Sequence, residues 1–177
     1  MVSGPPGAGK STLAPALARE LGLPLLVKDT LKRSLAHSLG VADVEGSRRL
    51  GAAATRALVE LADENGGAVL DSVWVDRAWA RKRLTRLAGD VVEVHLSAPL
   101  EVLRERYAAR AASADPFDHA RERSEDELWG GEAFEPVAGE WPVIEVATSG
   151  LVDMAALVAR LRVEAQTSWS TRPESTS

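Results

Sequence analysis

The chain has 177 residues, of which 45% are hydrophobic and 27% are charged, and its formal net charge is −5. This composition is that of a single globular domain, and because the sequence has no cysteine, disulfides and thiolate metal sites are excluded. It contains neither an apolar run of the roughly 20 residues that a membrane span needs nor the features of a signal peptide. We therefore expect a cytoplasmic protein without membrane contacts, and the acidic balance argues against nucleic acid as a partner.

A glycine-rich motif near the N-terminus fits the pattern G-x-x-x-x-G-K-[ST] at every fixed position. Its glycines let successive backbone N–H groups turn inward around anionic oxygens, and the following helix directs its positive end at the same point. A turn that merely enters a helix is the alternative, but the motif is complete. We therefore predict an ATP site in which Lys10 reaches the β- and γ-phosphates and Ser11 binds Mg²⁺. The residues predicted to hold the nucleotide are Gly4, Pro5, Pro6, Gly7, Ala8, Gly9, Lys10, Ser11 and Thr12.

The elements around this motif alternate between short apolar strands and helices. Only residues 1–3 precede the motif, where a strand of about five residues is expected, so we expect the native chain to begin further upstream. The apolar spacing predicts a helix over residues 10–21, in which Pro15 should kink the first turns. Residues 24–27 predict a second strand, and Asp29 follows it. Because ligands of open α/β sheets bind at the carboxyl ends of strands, Asp29 is predicted to be the general base; its alternative role is to cap the next helix.

A third predicted strand, residues 68–71, ends in another acid after a helix predicted over residues 47–64. An acid at a strand end beside a phosphate-binding loop is a suitable oxygen ligand for Mg²⁺. Asp71 is therefore predicted to contact Mg²⁺ or the substrate, and its alternative role is to begin a turn. Asp29 is the other candidate to hold the metal together with Ser11, through water. Trp74 and Trp79 follow this strand, and for them packing is favoured over lining an acceptor pocket.

A helix predicted from Pro99 to about residue 112 carries two arginines on one face. Arg106 and Arg110 are four residues apart, and they lead into residues 111–127, which are weakly periodic and are predicted to form a mobile lid. Arginines that close over a phosphate stabilise the charge that spreads over it during transfer. Both are therefore predicted to be catalytic, and the alternative is a solvated basic face that pairs with glutamates of the same helix.

The remaining elements complete an alternating pattern. They are a helix over 77–88 with a basic outer face, strands over 91–96 and 143–146, and a helix over 152–163. Alternating strands and helices predict a parallel sheet covered on both faces, which is a three-layer α/β/α domain over residues 1–163. Residues 164–177 are rich in serine and threonine and are predicted to be a disordered tail.

Four parts of the sequence together resemble the AAA_33-type P-loop kinases: the motif around Lys10, Val27-Lys28-Asp29-Thr30-Leu31-Lys32, Val69-Leu70-Asp71, and Leu96-Ser97-Ala98-Pro99 with the arginines after it. That group is similar to chloramphenicol phosphotransferase, zeta-toxin sugar-nucleotide kinases and the kinase domain of polynucleotide kinase. The resemblance covers most of residues 1–163. It implies a five-stranded parallel sheet of order 2-3-1-4-5, Asp29 as the base, Arg106 and Arg110 as lid arginines, and ATP with Mg²⁺ as cofactors.

The predicted activity is the transfer of the γ-phosphate of ATP to a hydroxyl group of a small molecule, such as an antibiotic, a sugar or a nucleoside. A polynucleotide 5′-hydroxyl kinase and a non-catalytic ATP-binding switch are the alternatives. Lys32 and Arg33 could meet an anionic acceptor, which is a minority interpretation. The sequence leaves the identity of the acceptor and the oligomeric state open.

Overall fold

The computed structural model describes residues 1–41, 43–87, 89–111 and 124–170. Most of the predicted lid, residues 112–123, and the end of the predicted tail, residues 171–177, lie outside this part of the chain. The strands are β1 (Val2–Ser3), β2 (Leu25–Val27), β3 (Val69–Asp71), β4 (Glu93–Ser97) and β5 (Val143–Ala147). The helices are α1 (Lys10–Leu21), α2 (Lys28–Leu39), α3 (Val44–Glu64), α4 (Arg77–Leu84), α5 (Leu100–Ala111), α6 (Glu125–Trp129) and α7 (Met154–Ser170), and a 3₁₀ turn (Gly131–Phe134) follows α6.

The strands of the described residues form one parallel sheet in the order β2-β3-β1-β4-β5, which confirms the predicted order. Although β1 has only two residues, it lies in the centre, where Val2 pairs with Asp71 on one side and with Val94 on the other. Val27 at the end of β2 also pairs with Asp71. The carboxyl ends of β2, β3 and β1 therefore meet at one edge of the sheet.

Apolar side chains pack on both faces of this sheet. In β3, Val69 belongs to a core cluster with residues of α1, α5 and α7, whereas its neighbour Leu70 belongs to a second cluster with residues of α3 and α4. This alternation follows from strand geometry, in which successive side chains point to opposite faces. The fold is therefore the predicted three-layer α/β/α arrangement.

Several element boundaries differ from those predicted. Helix α3 begins at Val44, ahead of the predicted start at residue 47, because the Asp43 carboxylate accepts a hydrogen bond from the Gly46 N–H (2.6 Å) and caps the helix earlier. Helix α7 continues to Ser170, so it includes residues 164–170, which the sequence analysis assigned to a disordered tail. Helix α1 runs without a break from Lys10 to Leu21, with Pro15 inside it. No helix of the described residues is both long and apolar enough to cross a membrane.

Candidate functional site

The glycine-rich loop between β1 and α1 lies so close to its neighbours that two of its positions accept only glycine. Gly4 and Gly7 have φ values of 127° and 85°, which residues with a side chain rarely adopt. A Cβ atom at Gly4 would lie 2.4 Å from the carbonyl oxygen of Leu96, and one at Gly7 would lie 2.4 Å from that of Leu103. The end of β4 and the first turn of α5 therefore fix the position of the loop.

Lys10 begins α1, and its side chain folds back over the loop. Its Nζ donates hydrogen bonds to the carbonyl oxygens of Gly4 (2.8 Å) and Pro5 (2.9 Å). Burial lowers the pKa of the ammonium group to about 8, although the charge of Asp71 acts in the opposite direction. Because a desolvated cation gains from a nearby anion, this ammonium is well placed to bind a phosphate group.

Ser11 and Asp71 are in contact beside Lys10. Asp71 is 5% exposed, and its carboxylate accepts a hydrogen bond from the Ser11 hydroxyl. Burial raises the pKa of Asp71, whereas the hydrogen bond and the charge of Lys10 oppose that rise. A hydroxyl next to a carboxylate offers the oxygen ligands that Mg²⁺ prefers in nucleotide sites, so the pair fits the predicted metal.

Asp29 lies in the first turn of α2, at the same edge of the sheet. The helix begins at Lys28 with Val27 as its N-cap, so Asp29 does not cap this helix and the alternative prediction for it is wrong. Lys28 is 9% exposed and places its Nζ 2.6 Å from Oδ1 of Asp29. Burial acts to raise the pKa of Asp29, but the charges of Lys28 and Arg110 outweigh it and hold that pKa below its ordinary value. The carboxylate is therefore ionised at neutral pH, and its side chain is 55% exposed.

Arg106 connects α5 to the glycine-rich loop through Thr148, which follows β5. Its guanidinium donates to the carbonyl oxygen of Thr148 (2.8 Å) and to Oγ1 of the same residue (3.3 Å). The Thr148 hydroxyl in turn donates to the carbonyl oxygen of Ala8 (3.0 Å), a residue 140 positions away along the chain. In this structure Arg106 thus has a part in holding the loop in place.

Arg110, the second predicted lid arginine, directs its charge at the cleft. Its Cζ lies over the ring of Tyr107, 5.6 Å from the centroid, and that ring packs edge-on against Trp129 with centroids 5.4 Å apart. The charge of Arg110 lowers the pKa values of both Lys10 and Asp29. The charge of Arg110 therefore acts on both Lys10 and Asp29, which belong to α1 and α2.

These side chains line one cavity of about 260 Å³, which we call the loop cavity. The predicted site residues in its lining are Gly7, Gly9, Lys10, Ser11, Thr12, Asp29, Asp71, Arg106 and Arg110. The other predicted nucleotide-binding residues belong to the same loop, and each accepts a side-chain hydrogen bond at its carbonyl oxygen. Lys10 donates to Gly4 and Pro5, Trp129 donates to Pro6, and Thr148 donates to Ala8. The structure thus brings together every residue that the sequence predicted for the catalytic and metal sites.

A second cavity of about 460 Å³, which we call the side cavity, adjoins the loop cavity at Val73. Its wall is formed by α2, α3 and the segment after β3, with Glu127 of α6 at one side. Trp74 also lines it, although this residue is 5% exposed and donates from Nε1 to the carbonyl oxygen of Val2 (3.1 Å). Trp74 therefore packs in the core, as predicted, and also lines this cavity, which the prediction disfavoured. The volume is within the range of small-molecule sites.

Three residues of the site were not among those predicted from the sequence: Lys28, Thr148 and Trp129. Lys28 could have been predicted, because it directly precedes Asp29 in the sequence and a cation next to a candidate base is expected to pair with it. Thr148 and Trp129 could not, because they reach the loop from 140 and 123 positions away, and no local pattern marks them. Trp129 donates from Nε1 to the carbonyl oxygen of Pro6 (3.2 Å), which joins α6 to the loop.

Comparison with known proteins identifies the family. Residues 1–128 match AAA_33, a family described as an AAA domain. The chain belongs to the AAA_33 family. Two cytidylate kinases are related in sequence to this AAA_33 protein: that of Aeropyrum pernix is 41% identical over 78 residues, and that of Ignicoccus hospitalis is 34% identical over 119 residues. These matches cover 41% and 62% of the chain, and the chain spans 45% and 63% of the lengths of the two relatives.

Two crystal structures resemble this AAA_33 protein over almost their whole lengths. A provisionally assigned kinase from Chloroflexus aurantiacus is 30% identical, with a TM-score of 0.70 and 94% of each chain covered. A gluconokinase from Sinorhizobium meliloti 1021 is 22% identical, with a TM-score of 0.61 over 97% of this chain and 95% of the other, and at that identity the likeness shows the fold alone. The predicted P-loop kinase fold is thereby confirmed.

Proposed function

We propose that this AAA_33 protein transfers the γ-phosphoryl group of ATP to a hydroxyl group of a small molecule. The observation that carries the proposal is the position of Asp29. Its ionised carboxylate lines the same cavity as Lys10 and the Ser11–Asp71 pair. A phosphate-binding loop and a carboxylate that faces it are two of the parts that phosphoryl transfer to an alcohol needs.

The protein groups that would hold Mg²⁺-ATP are those already in contact around the loop. The loop and Lys10 would bind the phosphates, and Ser11 with Asp71 would hold the metal. When bound, Mg²⁺ neutralises part of the negative charge of the phosphates. Lys10 and Arg110 supply further positive charge from two sides of the cavity.

Asp29 would orient the acceptor and receive its proton. The carboxylate accepts a hydrogen bond from the acceptor hydroxyl and aims that oxygen at the γ-phosphorus. As the new oxygen–phosphorus bond forms, the bond between the γ-phosphorus and the leaving oxygen of ADP breaks, and the hydroxyl proton passes to Asp29. Arg110 stabilises the charge on the moving group. An ionised carboxylate here favours a neutral hydroxyl over an anionic acceptor oxygen, because two like charges repel.

A second candidate acceptor is a nucleoside monophosphate such as cytidylate. The sequence similarity to two cytidylate kinases favours it. In that reaction the attacking atom is a phosphate oxygen, which would have to approach the Asp29 carboxylate against its charge. Partial neutralisation by Lys28, whose Nζ is 2.6 Å from Asp29, would reduce that repulsion.

The test is product formation from Mg²⁺-ATP with a panel of acceptors, read by mass spectrometry. The panel contains sugars, sugar acids, nucleosides, cytidylate, hydroxylated antibiotics and a single-stranded oligonucleotide. Asp29→Asn should lower kcat by roughly 100-fold or more and leave ATP binding intact. Glu145→Gln, which removes an exposed carboxylate on β5, is the matched control and should keep the full rate.

The other outcomes would contradict the role of Asp29 or indicate a different function. Full activity of Asp29→Asn would contradict the role of this residue. A phosphorylated cytidylate phosphate would replace the hydroxyl acceptor by the second candidate, and a phosphorylated oligonucleotide end would indicate a polynucleotide kinase. Tight ATP binding with no product from any acceptor would contradict the kinase proposal and favour an ATP-binding switch.

A further inference from the structure

The two cavities meet where Lys28 contacts Asp29. Asp29 lines the loop cavity, Lys28 lines the side cavity, and Nζ and Oδ1 of the two residues are 2.6 Å apart. A molecule whose hydroxyl lies at Asp29 therefore has the side cavity as the space for its remaining atoms. The chemistry of that cavity then determines which acceptors fit, and this step rests on the function proposed above.

The side cavity has a surplus of positive charge. Four basic residues line it, Lys28, Lys32, Arg48 and Arg56, against two acidic residues, Asp76 and Glu127. Lys28 and Lys32 are 9% and 8% exposed. Asp29 offsets much of the charge of Lys28, whose Nζ is 2.6 Å from its Oδ1, yet with Asp29 counted the basic residues still outnumber the acids. Burial leaves little water to screen the charge of Lys32.

Both acids in the wall already have partners within the protein. The Asp76 carboxylate accepts a hydrogen bond from the Trp79 N–H (3.0 Å) and so caps α4. The Glu127 carboxylate pairs with Arg48 and also accepts a hydrogen bond from the Ser124 N–H (3.0 Å) at the start of α6. Neither acid pairs with Arg56 in the part of the chain that the structure describes.

Arg56 is an exposed cation in the wall of the side cavity. Its Cζ lies over the indole ring of Trp79, 5.6 Å from the centroid, and among the described residues no carboxylate forms an ion pair with it. A guanidinium carries five N–H donors in a planar fork that matches the two oxygens of a carboxylate or phosphate, and contact with an aromatic ring does not neutralise its charge. Arg48 lies two turns earlier on α3 and lines the same cavity.

We infer that the acceptor carries an anionic oxygen group, a carboxylate or a phosphate, which binds to Arg56 in the side cavity while its hydroxyl group lies at Asp29. Lys32, which lines the same cavity, contributes positive charge around that group, whereas the charge of Arg48 is offset by Glu127. A neutral molecule of the same size lacks this interaction and binds more weakly. Arg56 is thus a residue that determines specificity, separate from the residues of the loop cavity.

The test is equilibrium binding by calorimetry of three probes that share a sugar-like skeleton, to the full chain saturated with Mg²⁺ and a non-hydrolysable ATP analogue. Gluconate carries a carboxylate, glucose 6-phosphate carries a phosphate, and glucose is neutral. At least one anion should bind ten times or more tighter than glucose, and the tighter anion identifies the group that the cavity prefers. Arg56→Gln should weaken that binding by roughly 10- to 100-fold, as expected for a charged hydrogen-bonded pair.

Arg49→Gln is the matched control, because Arg49 lies on the same helix and pairs with Glu45 (3.6 Å) on an exposed surface. It should change neither anion nor glucose binding. Arg56→Lys keeps the charge without the planar fork and should lie between the wild type and Arg56→Gln. Anions that bind no tighter than glucose, or equal losses in Arg56→Gln and Arg49→Gln, would overturn the inference. Because binding is measured without turnover, a failure of the kinase reaction in the acceptor panel is a separate result.

Discussion

Replacing Glu93 by glutamine should destabilise the fold strongly, because this carboxylate is fully buried with all its acceptor positions in use. Glu93 lies on β4 with 0% exposure. Oε1 accepts hydrogen bonds from the Val137 N–H (2.7 Å) and the Ser3 hydroxyl (2.5 Å), and Oε2 accepts them from the Ala138 N–H (2.9 Å) and Nε1 of Trp141 (3.2 Å). The side chain thereby joins β1, β4 and the segment that precedes β5.

The magnitude follows from counting donors. Glutamine turns one carboxylate oxygen into an NH₂ group. At Oε2 this leaves the N–H donors of Ala138 and Trp141 without an acceptor, and at Oε1 it leaves that of Val137, because the Ser3 hydroxyl can turn to Nδ1 of His95 (2.9 Å). Hydrogen bonds to a charged acceptor contribute about 1.5–3 kcal/mol each, so the loss of one or two removes about 1.5–6 kcal/mol. Because glutamine avoids the cost of burying a charge, we expect a net loss of about 1–4 kcal/mol, against a typical stability of about 5–15 kcal/mol.

Urea unfolding followed by circular dichroism measures this loss. Glu145→Gln, an exposed change on the neighbouring strand β5, is the control and should stay within about 0.5 kcal/mol of the wild type. If the Glu93→Gln chain unfolded with the same free energy as this control, the hydrogen-bond reasoning would be refuted.

Glu93 should also affect how the stability of the fold depends on pH in the acid range. Burial acts to raise the pKa of Glu93, but the hydrogen bonds from Ser3, Ala138 and Val137 outweigh it and hold the pKa below its ordinary value of 4.5. The carboxylate therefore adds stability that is fully present above the unfolded value of 4.5 and is lost as the pH falls through the lower folded pKa. The Glu93→Gln chain should lack this part of the acid-dependent loss.

Three further predictions concern the glycine-rich loop. ATP binding should be accompanied by proton uptake, because a bound phosphate raises the pKa of Lys10 from its value of about 8. Calorimetry in buffers of different ionisation enthalpy should measure an uptake of up to about half a proton per ATP at pH 8. An equal uptake by the Lys10→Met variant would contradict this prediction. The Gly7→Ala variant should unfold at a clearly lower temperature than the Gly40→Ala variant. Both glycines have positive φ, but only at Gly7 would the added Cβ lie 2.4 Å from a backbone atom, the Leu103 carbonyl oxygen. Equal melting temperatures of the two variants would refute the steric argument. Ser11→Ala should weaken the binding of Mg²⁺-ATP more than that of metal-free ATP in a fluorescence titration, whereas equal losses would contradict a role at the metal.

The local patterns of the sequence were sufficient to predict the fold class and the residues around the loop, whereas the strand order was implied by the resemblance to the AAA_33-type kinases. The motif requires glycine at tight turns and a helix immediately after it, and apolar runs that end in Asp29 and Asp71 mark the ends of two strands. Because parallel strands place their carboxyl ends at one edge of the sheet, a correct strand order brings these residues to the same cavity. Local patterns therefore carried most of the candidate site.

Only the tertiary structure determined the contacts between distant residues. The arginines of α4 predict an exposed basic face, yet the Arg77 side chain is 13% exposed and donates to the carbonyl oxygens of Pro136 (2.6 Å) and Glu135 (2.9 Å). Glu93 reads in sequence as an interruption of an apolar strand, and the partners that make its burial favourable lie as far away as Ser3. The side cavity likewise depends on how α2, α3 and α6 pack. Such hydrogen bonds, ion pairs and cavities leave no periodicity in the sequence, because they arise from where the sheet order places segments that are far apart along the chain.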